Sequence, residues 1–135
     1  MKIKKFNWSD AWLLLAIVYA SNGKPGATLE KIIALGDAIN HAVFNADELE
    51  SGLRRLTSGK YIKEENGCFS AALKVRRAFA KIAARGRTVE KELEYLREFI
   101  GAASPVAEQP QINNLKYEGF SAEKFREAVN KYLSR

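Results

Sequence analysis

Apolar residues near the start of the chain run almost without interruption, Trp12-Leu-Leu-Leu-Ala-Ile-Val-Tyr-Ala20. That run predicts a helix over about 8–20 that is apolar on most faces and lies in the centre of a domain. Asn7 or Ser9 can cap it, because a short side-chain oxygen accepts from the unpaired amides of the first turn. Ser21-Asn-Gly-Lys-Pro-Gly26 breaks any regular element and reads as a loop. The pattern then becomes periodic. Leu29, Ile32, Ile33, Gly36 and Ile39 recur at helical spacing behind a Thr28 cap, predicting a second helix over about 29–39. Gly36 in mid-helix costs about 1 kcal/mol relative to alanine, which points to a close approach by another helix.

Asn45 and Glu48 stand as N-cap and N3 of a third helix over about 46–58, similar to a capping box. Leu49, Leu53 and Leu56 form its narrow apolar stripe, and Gly59 stands where a left-handed C-cap is wanted. Two short strands follow, Tyr61–Glu65 and Cys68–Ala72, joined by Asn66-Gly67, the strongest short-range signal for a two-residue type I′ turn. That turn sets 64 opposite 69 and 62 opposite 71, so Ile62, Phe69 and Ala71 share the inward face. A fourth helix over about 71–85 carries Ala72, Val75, Phe79 and Ile82 as its seam and ends at Arg85-Gly86-Arg87. Thr88 caps a fifth over about 89–101, with Val89, Leu93, Leu96 and Ile100 in heptad-like spacing. Residues 102–119 read as an extended loop, and Ser121 caps a last helix with Phe120 and Phe125 as a hydrophobic staple.

The predicted fold is therefore mainly α with a small β-hairpin. A composition of 47% hydrophobic and 28% charged residues in 135 suits one globular core. A single cysteine, Cys68, excludes an internal disulfide framework and fits a reducing compartment. Lys2, Lys4 and Lys5 ahead of the apolar run resemble a short signal peptide. Asn7, Ser9 and Asp10 read instead as a helix start, and the run is too short to cross a bilayer, which takes about 20 apolar residues. The default is a soluble cytoplasmic protein with no membrane partner.

Net charge is +6, which favours an anionic partner. Of 22 basic residues, six lie in 66–89 (Lys74, Arg76, Arg77, Lys81, Arg85, Arg87), a stretch with no acid, so the remainder balances at 16 and 16. Lys74, Arg77, Lys81 and Arg85 fall on one stripe roughly opposite the fourth helix's apolar seam.

Three helices followed by a hairpin, with Leu49-x3-Leu53-x2-Leu56-x2-Gly59-x2-Ile62 spacing, resemble the winged helix-turn-helix superfamily, which includes many small bacterial transcription regulators. The resemblance covers about residues 9–85. It implies a winged-helix domain over 1–87 with a C-terminal helical extension over 88–135. It also implies that the third helix enters the major groove of double-stranded DNA while the hairpin flanks the backbone or minor groove. With the leucines inward, Asp47, Ser51, Arg54, Arg55 and Ser58 are expected to face outward. Ser51, Arg54, Arg55 and Ser58 are then the candidate readers, since arginine can address guanine bidentately and serine can bond base edges or phosphates. Lys63, Lys74, Arg77 and Lys81 are the candidate phosphate ligands. The fifth helix's stripe, within 88–101, packs on the chain's own core or forms a homodimer seam.

Other residues point the other way. Asp47, Glu48 and Glu50 crowd the first turn of the third helix, and the hairpin tip is Glu64-Glu65, where a minor-groove reader prefers arginine. A winged helix kept as a protein-protein interaction module is the alternative. His41 has no second histidine or acid cluster beside it for a metal and reads as structural, hydrogen-bonding a helix end. Cys68 lacks a resolving partner, and Gly23-Lys24 lacks phosphate-loop spacing. Glu90, Glu92, Glu94 and Glu98 read as a solvated helix face. No nucleophile–base arrangement stands out, so neither an enzyme nor a cofactor is expected.

Overall fold

The computed structural model describes residues 6–21, 26–83, 88–102 and 122–134. Their elements are α1 (Trp8–Ala20), α2 (Leu29–Asn40), α3 (Ala46–Ser58), β1 (Ile62–Glu65), β2 (Cys68–Ala71), α4 (Leu73–Ala83), α5 (Val89–Ile100) and α6 (Ala122–Leu133). The described chain is thus mainly α with one small antiparallel hairpin. The loop at 22–25, the break at Arg85-Gly86-Arg87, and 103–121 with Phe120 and Ser121 lie outside the described residues. No described helix is long and apolar enough to cross a membrane.

The uninterrupted apolar run makes α1 the axis of the core. Every residue from Asp10 to Val18 is buried, and α2, α3 and α5 all pack on it. Short polar side chains mark the helix starts, as the sequence predicts. The Thr28 and Thr88 hydroxyls accept from the Lys31 and Lys91 amides, each at 3.2 Å. Asn45 and Glu48 exchange the two bonds of a capping box at 2.7 and 3.0 Å. At α1 the Asn7 amide donates to the Asp10 carboxylate at 2.9 Å. At the other end of α2, His41 takes a left-handed conformation (φ 58°) and donates its amide to the Asp37 carbonyl at 2.7 Å. Its structural part is thus played by the backbone, with the imidazole exposed.

The close approach at Gly36 is by an aromatic ring. A Cβ there would lie 2.3 Å from Cε2 of Phe44, which stacks on Trp12 at 3.9 Å between centroids. Trp12 in turn donates its indole N–H to the Gly36 carbonyl at 2.8 Å, so α1, α2 and the α2–α3 linker meet at one point.

The hairpin has the predicted register, Ile62 opposite Ala71 and Glu64 opposite Phe69. Asn66 and Gly67 adopt φ of 56° and 79°, as a type I′ turn requires. Ala27, just before α2, exchanges backbone hydrogen bonds of 2.7 and 2.9 Å with Phe69, fastening the outer edge of β2 to the start of α2. Gly59 departs from expectation: its φ is −81°, and Lys60 after it carries the left-handed turn at 65°. Space is tight there, since a Cβ would lie 3.0 Å from the Tyr61 ring and 3.2 Å from Phe6.

The described helices of the expected extension over 88–135 pack on the same core as the elements before them. One hydrophobic cluster includes Leu96, Ile100, Ala102 and Ala128 together with α1–α3 and the hairpin. Two phenols pin the C-terminal helices. The Tyr132 hydroxyl donates to Asp37 on α2 at 2.5 Å, and the Tyr19 hydroxyl donates to the buried Glu92 carboxylate of α5. Burial, reinforced by that bond and by the Glu92 charge, pushes the Tyr19 phenol above its ordinary 10.0.

Two outcomes follow from this packing. Gly36→Ala is expected to lower stability by about 1–3 kcal/mol in urea unfolding despite alanine's better helix propensity, because the stacked Phe44 ring has nowhere to go. The stabilising effect of a raised phenol pKa is complete below the unfolded value of 10.0 and is lost as pH rises above it. Unfolding midpoints measured from pH 8 to 11 should therefore fall more steeply above pH 10 in the wild type than in Tyr19→Phe; parallel curves would exclude the effect.

Candidate nucleic-acid interface

The face of α3 expected to read DNA is partly committed elsewhere. Asp10 has no exposed surface, and both its oxygens receive the Arg55 guanidinium: Nε to Oδ2 at 2.7 Å and Nη2 to Oδ1 at 2.9 Å. This fork-on-fork geometry is the strong form of a charge-assisted pair. With the Asn7 amide on Oδ2 as well, it ties α3 to the first turn of α1. The outward placement of Arg55 is therefore corrected, and its side chain is only 15% exposed. Ser51 is corrected with it. One helical turn earlier on the same row, it is buried at 6%. The inward surface of α3 is wider than its leucine stripe, taking in Ser51 and Gly52 alongside Leu49, Leu53 and Leu56. The signal that could have shown this is Asp10 itself, since a carboxylate within a helix apolar on all faces needs a cation brought to it.

What α3 still turns outward is mixed. Arg54 is partly buried, and its Nε is shielded from solvent without a hydrogen-bond partner. Asp47 and Ser58 are exposed, and Glu50 is partly so. At the hairpin tip Glu65 and Asn66 are exposed, while Glu64 accepts from the Gly67 amide at 2.8 Å. Lys63 is exposed on β1, opposite Ser70.

The contrast with α4 is sharp. Val75, Ala78 and Ile82 are buried and Phe79 is partly buried, so the predicted seam faces the core. Leu73, Lys74, Arg76, Arg77, Ala80 and Lys81 are exposed, and the helix has no acidic residue. Ion pairs join Arg55 to Asp10 and Arg97 to Glu94 and Glu98, and none of the α4 cations is paired with an acid among the described residues. Lys74 is held in place. Its ammonium donates to the Gly59 carbonyl at 3.2 Å and lies 4.2 Å from the centre of the Tyr61 ring. Tyr61 is itself wedged edge-on between Phe6 at 5.5 Å and Phe99 at 5.9 Å. The fourth member of the predicted basic stripe, Arg85, lies outside the described residues.

The heptad-like stripe of α5 is used within the chain. Leu96 and Ile100 are buried and Leu93 packs partly buried against the same cluster, leaving Val89 exposed. Glu92, expected on a solvated face, is buried against Tyr19. On the opposite side Lys91, Glu94, Tyr95 and Glu98 line an open hollow of about 290 Å³. Arg97 holds the Glu94 carboxyl below its ordinary value through their hydrogen bond. Cys68 is free and partly exposed, and no group of three possible metal ligands occurs among the described residues. No family model, no curated protein and no solved structure matches the chain.

Removing the cation from a fully buried carboxylate leaves that charge uncompensated. Arg55→Ala should therefore cost about 3 kcal/mol in denaturant unfolding. The neighbouring Arg54→Ala should cost less than about 1 kcal/mol. Equal effects would show that the bridge does not hold α3 in place.

Proposed function

We propose that this chain is a cytoplasmic winged-helix protein that binds double-stranded DNA, with transcription regulation as its role. The observation that carries the reading is α4: an acid-free helix with Lys74, Arg76, Arg77 and Lys81 exposed and, among the described residues, in no ion pair. Such a face attracts a polyanion and releases its counterions on binding. The order of elements and the wing-like hairpin support the family assignment, as does the fastening of β2 to the start of α2 through Ala27. Lys63 and the outward part of α3, Arg54 and Ser58, extend the surface that DNA would meet. A homodimer on a two-fold site would have to use a surface other than Leu96 and Ile100, which are enclosed in the core. No catalytic step is part of this reading.

A second reading has its own support. The withdrawal of Arg55 and Ser51 leaves the acids Asp47 and Glu50 prominent on α3, beside a hairpin ending in Glu64-Glu65. That surface suits a basic protein partner, and a fold alone does not choose between the two.

Fluorescence polarisation of labelled random-sequence duplex, titrated at two salt concentrations, separates them. DNA binding through α4 predicts a nonspecific Kd of roughly 1–100 μM that weakens steeply with salt, and loss of binding in the Lys74/Arg77/Lys81→Ala triple variant. No binding at low salt favours the protein-interaction module.

A further inference from the structure

Resting on the duplex-binding part of that reading and setting aside the choice of a particular operator, we infer that the chain grips the phosphate backbone lengthwise along α4 and is indifferent to base sequence. Reading bases requires side chains that carry free donors and acceptors into a groove. Of the four residues placed for that task on α3, Arg55 has its fork closed on Asp10 and Ser51 is buried. Arg54 and Ser58 remain, on an arc shared with the carboxylates of Asp47 and Glu50. The hairpin tip adds Glu65, which phosphates repel, and holds Glu64 in its own turn.

The α4 cations are spaced for a different task. Lys74, Arg77 and Lys81 stand at i, i+3 and i+7, on one side of the helix. At 1.5 Å per residue they span roughly 10 Å of helix axis. One strand of B-DNA carries one phosphate per roughly 3.4 Å of duplex axis. Because the strand winds around that axis, its successive phosphates stand farther apart than this, so a row of that length meets about two or three of them. Arg76 flanks this row, with Arg77 between it and Lys74 around the helix. Lys74 starts the row as a fixed point: one of its N–H groups is on Gly59 and its charge rests on Tyr61, which leaves two donors for a phosphate oxygen. A cation already held in place loses less freedom on binding than a loose one.

The test is a panel of duplexes of equal length, A·T-rich, G·C-rich and mixed, together with the tightest sequence recovered by selection from a random pool. A single bidentate arginine–guanine contact separates sequences by roughly tenfold or more. Affinities lying within about tenfold across the panel are the expected result, and a wider spread overturns the inference while leaving duplex binding intact. The slope of log K against log salt should be about −3, and Arg77→Ala with Lys81→Ala should reduce its magnitude by about two. An unchanged slope in that double variant overturns the placement of the backbone on α4. Failure to bind any duplex at low salt overturns the duplex-binding reading itself, and the inference with it.

Discussion

Taking a carboxylate out of water costs several kcal/mol unless a cation and hydrogen-bond donors are brought to it. Asp10 stands at the head of a helix buried for nearly its whole length, and the cation brought to it is Arg55 from α3. The arrangement of the rest follows from that demand. With its row 51–55 turned to α1, α3 presents its other side to solvent and delivers the chain at Gly59 into the space between Phe6 and Tyr61. Tyr61 leads directly into β1, and β2 runs into α4, whose first lysine returns to the Gly59 carbonyl. The basic helix is thus oriented, through the hairpin, by an ion pair in the last turn of α3.

Much of this fold was legible in the sequence because local chemistry and tertiary demand agree. Thr28, Asn45 and Thr88 cap where they stand, Asn66-Gly67 turns as it must, and the leucine stripe of α3 is fully buried. The legible part stops where a residue's partner is distant in sequence. Arg55 and Asp10 are 45 positions apart, and Tyr19 and Glu92 are 73 apart, so no periodicity marks either pair. The candidate site suffered more than the fold for this reason. A helical wheel places Ser51 and Arg55 opposite the leucines and thus in water, whereas α1 covers that flank as well. The α4 stripe fared better, because its exposure depends only on a seam of its own that the wheel locates correctly.

The C-terminal helices show the same division between local and distant information. Their caps and apolar spacing announce helices, but spacing alone cannot say whether a stripe meets a second copy or the chain's own core. Burial of Leu96 and Ile100 on α1 gives the answer for α5. The paired phenol–carboxylate bonds, Tyr19 to Glu92 and Tyr132 to Asp37, place polar groups where they are satisfied within the molecule. A segment that reads as an appendage in sequence is therefore part of what encloses α1.

The connection between α2 and α3 is only five residues long, and it is held at three points. His41 closes α2 in a left-handed turn, Phe44 is stacked on Trp12, and Asn45 with Glu48 opens α3. A hinge needs backbone torsions free to change, and little of that freedom remains here. The two helices must therefore move as one rigid body with α1. Whatever α3 and its neighbours meet, they meet with their relative angles already set, so little of the encounter energy goes into ordering this part of the backbone.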